Sequence, residues 1–118
     1  MQIADILKDL VDRTPGAVGA ILVDWEGEAV QEYCHCDPYE IRFIAAHKGI
    51  ILNRFKEIHA GGGEGTVEDV VVTAREAHLI IGVVDEEYAL VLRVGRDCPM
   101  ALALRHFRGA VELLKKEI

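Results

Sequence analysis

Residues 37–60 read DPYEIRFIAAHKGIILNRFKEIHA and run into Gly61-Gly62-Gly63. The stretch carries a helix start signal at one end and a stop at the other. Asp37 suits the N-cap, Pro38 has the fixed φ and missing N–H of a first helical residue, and Glu40 stands where a capping-box acid would. At 100° per residue, Ile41, Ile44, Ala45, Ile51, Leu52, Phe55 and Ile58 share one face, wide enough to cover a sheet and expected to be core. Phe43, Ala46 and Ile50 form a second apolar row, flanked by His47, Arg54 and Glu57. Only Arg42, Gly49, Asn53 and Lys56 remain as a polar strip. A helix apolar on two faces needs two covers, so another layer of the chain or another subunit must supply the second.

Outward from this helix, the flanking segments alternate in period. Ile3, Ile6, Leu7 and Leu10 predict a short amphipathic helix over residues 2–12, stopped by Thr14-Pro15-Gly16. Every residue from Ala17 to Val23 is apolar or Gly, which predicts a strand covered on both faces. Asp24-Trp25-Glu26-Gly27 turns the chain into a second strand, Ala29 to Tyr33. Trp25 in that turn is either an exposed contact residue or packed over the sheet edge. Beyond Gly65, the β-type runs Val67–Ala74, Leu79–Val84 and Tyr88–Val94 are separated by short breaks at 75–77 and 85–87, an antiparallel meander. A last amphipathic helix opens at Asp97-Cys98-Pro99, with Met100, Ala103, Leu104, Phe107, Val111 and Leu114 on one stripe. The order α-β-β-α-β-β-β-α predicts an α+β fold, an α/β/α sandwich on a five-stranded antiparallel sheet. The central helix lies on one face and the terminal pair on the other. Profilin-like, longin-like and Roadblock-like domains all fit that order.

A chain of 118 residues with 51% apolar content is expected to form one domain over residues 1–118 without metals or disulfides. No apolar run approaches the ~20 residues of a membrane span. The acidic, h-region-free start MQIADILKDL and three cysteines in a chain without an export signal predict free thiols and a cytoplasmic location, with no direct membrane insertion. The net charge of −7 disfavours nucleic acid as a partner. From Arg93 onward six basic residues face three acids, so the body of the chain carries the acidity and the last quarter is basic.

The chain resembles the Roadblock family, which includes dynein light-chain and bacterial members, over nearly its whole length. The residues that carry the resemblance are Pro15-Gly16-Ala17-Val18-Gly19-Ala20 running into Ile21-Leu22-Val23-Asp24, Ala45-Ala46 in the central helix, the acidic meander strands, and the entry Cys98-Pro99-Met100-Ala101-Leu102-Ala103-Leu104-Arg105. Tyr33-Cys34-His35-Cys36 departs from the family pattern. The resemblance implies a dimer in which central helices pack together and strand edges join two sheets. Phe43, Ala46, His47, Ile50, Arg54, Val70 and Val72 would be its contacts. It also implies a regulatory or scaffolding role beside a small Ras-like GTPase, without enzyme activity or a cofactor.

The remaining constellations have plain readings. The Gly61–Gly65 stretch follows a helix and lacks the Lys-Ser/Thr of a P-loop, so it is a connector. The chain contains no Ser, and Thr14, Thr66 and Thr73 are expected in turn or strand contexts with no neighbouring His to act as base. Cys34 and Cys36 would share a strand face, with two further ligands needed from Cys98, His59 or His78 to bind zinc. Two small apolar-like thiols finishing a strand is the simpler reading. His47 is either a plain interface or surface histidine or, near a twofold axis, a source of pH-dependent assembly. Glu68 and Asp69 at the start of an edge strand discourage promiscuous pairing. Arg54, Arg105 and Arg108 are the candidate partner contacts, the last two also explained as a solvated surface pair. A longin- or profilin-like adaptor without a GTPase partner, and a small-ligand or metal-sensing domain, are the alternatives.

Overall fold

In the computed structural model, residues 2–37, 39–40, 53–58 and 67–118 are described. Helix α1, Ile3–Arg13, turns Ile6, Leu7, Leu10 and Val11 inward. Asp5 in its first turn and Arg13 in its last complement the helix dipole. It ends at Thr14, a buried polar side chain whose hydroxyl hydrogen-bonds His106 Nδ1 at 3.2 Å. Gly16 then turns the chain with φ +83°, and a Cβ there would meet Cys98 Cβ at 3.2 Å. Only Gly meets both demands without strain.

Five strands follow: β1 (Ala17–Asp24), β2 (Ala29–Cys34), β3 (Asp69–Thr73), β4 (Ala77–Val83) and β5 (Tyr88–Gly95). They form one sheet in the order β2-β1-β5-β4-β3, every neighbouring pair antiparallel. The alternation of side chains sends Ala20, Leu22, Ile80, Leu90, Leu92 and Val94 to one face and Ile21, Val23, Leu79, Ile81, Ala89 and Val91 to the other. The first set packs under α1 and the C-terminal helix α2, Met100–Glu117. The second packs against Phe55 of the helical residues 53–58. The expected sandwich is the observed one, and both cores exist because the middle strands are apolar at odd and even positions alike.

Local chemistry sets the turns. Asp24 Oδ1 accepts from the backbone N–H groups of Glu26 and Glu28, both at 2.9 Å, and Asp85 Oδ1 accepts from those of Glu87 and Tyr88, both at 2.8 Å. Asp37 caps as expected, its Oδ1 accepting from Tyr39 N–H at 3.0 Å. Trp25 is buried, its ring stacked on Phe55 at 5.9 Å. In α2, Phe107 lies so close to β4 that a Cβ on Gly82 would sit 2.5 Å from its ring.

Three expectations need correction. Ile58 is 55% exposed, because only Phe55 in residues 53–58 reaches the sheet. Strand β3 begins at Asp69 instead of Val67 and ends at Thr73, where its ladder with β4 stops at the Thr73–His78 pair. Strand β4 begins two residues early, since Ala77 is buried and pairs with Gly95. Propensity did not reveal these limits, which are set by the partner strand.

Candidate interaction surface

The sheet has two edges, and they differ. At β2 the register slips between Leu22 and Val23, leaving Val30 out of the pairing. Such a bulge twists an edge away from further partners. The same strand is tied to α1, because Asp12 Oδ1 accepts from Tyr33 OH at 3.1 Å and lies 2.9 Å from His35 Nε2. At β3 the five pairs from Asp69–Gly82 to Thr73–His78 run without irregularity. Among the described residues no strand covers the outer side of β3.

Val70 and Val72 pack partly against the core that holds Phe55, so they share the sheet face of residues 53–58. Val71 points to the other face and is 40% exposed. On the helical segment Arg54 is exposed and pairs with Glu57 at 3.3 Å, with exposed Ile58 one turn further on. Arg54, Val70 and Val72 therefore belong to one side of the sheet. Phe43, Ala46, His47 and Ile50 lie outside the described residues.

The two arginines of α2 part company. Arg108 donates from Nε and Nη2 to the Asp69 carboxylate at 2.9 and 3.1 Å, a fork that clamps the C-terminal helix to the start of β3. Asp69 is mostly buried, at 17% side-chain exposure, so an acid expected to guard an edge is also a structural partner. Arg105 is exposed and borders a groove between α1 and α2 with Ile6, Leu10, Arg13, Gly109 and Leu113.

The fold is similar to the Roadblock/LC7 domain from Streptomyces avermitilis at a TM-score of 0.84 and 19% identity, over 99% of this chain and 98% of that one. It is similar to the gliding protein MglB from Thermus thermophilus at 0.81 and 20% identity, over 97% of this chain and 86% of that one. Acanthamoeba castellanii profilin IA is less alike, at 0.65 and 11% identity over 98% of each chain. The chain has the Roadblock/LC7 fold. At the level of sequence, neither a protein-family model nor a curated protein matches it. A Roadblock/LC7 fold at such low identity is held by the pattern of apolar faces, which many sequences satisfy.

Where the sequence departs from the Roadblock pattern, the structure shows a polar cluster and two thiols. Lys8, 2.8 Å from Asp12, is the main cause that holds the Asp12 carboxyl below the usual range, with the His35 and Tyr33 hydrogen bonds adding. His35 is thus turned to α1, away from any ligand role beside the cysteines. Cys34 and Cys36 pack partly against the core of the β3 and Phe55 side, whereas Cys98 is buried in the opposite layer, where desolvation raises its thiol pKa. His78 Nδ1 lies 2.9 Å from Thr73 Oγ1, so Thr73, like Thr14 beside His106, has a histidine neighbour contrary to expectation, and His59 is outside the described residues. Among the described residues no three metal-ligating side chains converge. Sequence reasoning missed the Asp12, Tyr33 and His35 cluster because nothing in the spacing links positions 23 apart.

The Cys36 thiol is pushed up to about 11, by burial first and then by the hydrogen bond and charge of Cys34. An unfolded thiol titrates at about 8.5. Above that value the unfolded chain loses the proton first, so stability that is complete at lower pH is lost as the pH rises toward about 11. Cys36→Ser should flatten the alkaline limb of a curve of urea midpoint against pH. An unchanged limb would assign it to another group.

Proposed function

We propose that this chain is a non-catalytic, self-associating regulator or scaffold of a small Ras-like GTPase, acting in the cytoplasm as one domain. The observation that carries the self-association is the unbulged outer edge of β3, on a strand whose Val70 and Val72 share a sheet face with the helical residues 53–58. Strand addition along a regular open edge contributes main-chain hydrogen bonds and a continuous sheet. The second copy would then cover the apolar row Phe43, Ala46 and Ile50. The GTPase part rests on the family that the sequence resembles and on the likeness to MglB, described as a gliding protein. Arg54 beside that surface, and Arg105 and Arg108 on α2, are the proposed partner contacts, Arg105 being the one without a carboxylate partner among the described residues. None of the described helices is long and apolar enough to cross a membrane.

The reading is tested with the small GTPases of the same cell. Each is mixed with this protein in its GDP and GTP forms, and binding, hydrolysis and nucleotide release are measured. Binding to one nucleotide state, with a changed rate or a changed location, is the expected result. Failure to bind any GTPase in either state would leave an adaptor without a GTPase partner as the better reading.

A further inference from the structure

Cys34 closes β2, and Cys36 immediately precedes Asp37, the cap of the following helix. Both thiols are half-buried, and the Cys34 thiol donates to the Cys36 carbonyl at 2.9 Å. Across the ladder from Cys34 stands Gly19, where a Cβ would lie only 2.5 Å from Cys34 Cβ, so the Cys34 side chain is held over β1. The intervening imidazole is engaged by Asp12, and Cys98 is on the other side of the sheet. The two thiols therefore have each other as their sulfur neighbours among the described residues. The chain bends at His35 and Cys36 just past the strand end, which draws the two below the roughly 6.6 Å of a fully extended i, i+2 pair and into the range of about 4.4–6.8 Å that a disulfide spans.

We infer that Cys34 and Cys36 form a redox-active dithiol that closes to an intramolecular disulfide by exchange with a low-molecular-weight disulfide, loosening the junction between β2 and the helix after it. In the first step the Cys34 thiolate attacks one sulfur of the small disulfide. That S–S bond breaks, one small thiolate leaves with the electron pair, and a mixed disulfide forms on Cys34. In the second, Cys36 gives up its proton to solvent and attacks Cys34 Sγ, expelling the other small thiolate. Two electrons pass to the small disulfide, and the two thiol protons end on the two small thiols released. The elevated pKa of Cys36 makes the second step the slower one at neutral pH and faster in alkali.

Closure has a structural consequence. Cys34 must release the Cys36 carbonyl, and the bridge pulls on His35, whose N–H donates to Val18 O at 2.8 Å and whose ring rests on Asp12. The cap next in sequence, where Tyr39 N–H meets Asp37 Oδ1 at 3.0 Å, shares the same backbone.

The test incubates the folded full chain with oxidised glutathione, quenches in acid and weighs the products. The parent is expected to lose two hydrogens, with Cys34 and Cys36 joined in one peptide and no lasting adduct. Cys36→Ser should retain one glutathione on Cys34, and Cys98→Ser should behave as the parent does. Hydrogen exchange at the His35 and Tyr39 amides should quicken by about tenfold or more in the oxidised form. A parent that keeps its glutathione adduct, that does not react although Cys34 is alkylated readily, or that cross-links to a second chain would overturn the dithiol. Unchanged exchange in a chain that does close would overturn the loosened junction.

Discussion

Phe107→Ala is expected to cost about 3–5 kcal/mol of unfolding free energy. The ring is fully buried between α2 and the sheet, among Ala103, Ala110, Val111 and Leu114 of its own helix and the inward residues of β4 and β5. Its edge rests on Gly82, where a strand side chain would otherwise stand. Truncation removes the apolar transfer term and leaves a cavity that a helix clamped by Arg108 and Thr14 closes only in part. Against a typical domain stability of about 5–15 kcal/mol, that is a large share. Gly82→Ala attacks the same contact from the other side and should cost about 1–3 kcal/mol by overpacking, since the atom it meets belongs to a buried ring. The two effects should not add. With Phe107 reduced to Ala the new methyl has room, so the double variant should be more stable than the sum of the two losses implies. Urea denaturation of the four proteins at unchanged m-value checks this. An additive result would mean that glycine and ring do not constrain each other.

The second large effect is on assembly. Phe43→Glu with Ile50→Glu would bury charge at a contact between central helices, and the proposed dimer should weaken by about a hundredfold or more, from several kcal/mol of uncompensated desolvation. Val71→Lys tests the strand edge independently. Val70 and Val72 are half-buried, so changing them mixes folding with assembly, whereas Val71 is 40% exposed and a lysine there leaves the protomer intact. Across a twofold-related strand pair it brings like charges together. Both variants should run as folded monomers with the parent's circular dichroism when light scattering reports the parent as a dimer. Variants that keep the parent's mass would move the interface away from the central helix and β3.

The elements of this fold were legible because their signals are local. Ala17–Val23 could be read as a doubly covered strand from seven consecutive apolar or Gly residues, and β1 is buried on both faces. The stripe through Ala103, Phe107, Val111 and Leu114 marked the buried side of α2, with Ala110 added by packing. Asp37 caps because its side chain needs only the amide two residues on. The candidate surface was legible in part: Val70 and Val72 were named on a strand edge, but nothing in their spacing distinguished that edge from the bulged one at β2. Ile58 was misread because helical periodicity says which residues share a face and not where the sheet beneath them ends.

Sequence alone thus determined the kind of each described element, the two-sided burial of the middle strands and the sheet face on which the two terminal helices and Phe55 pack. These follow from backbone periodicity and capping, which act over a few residues. Tertiary structure decided the order β2-β1-β5-β4-β3, the fork between Arg108 and Asp69 across 39 positions, and the seating of Phe107 on Gly82. It also decided that His35 answers to Asp12 and leaves Cys34 and Cys36 to each other. Such pairings depend on which chain segments meet after collapse, and the energy of a polar fork or a ring against a glycine exists only once both partners have arrived.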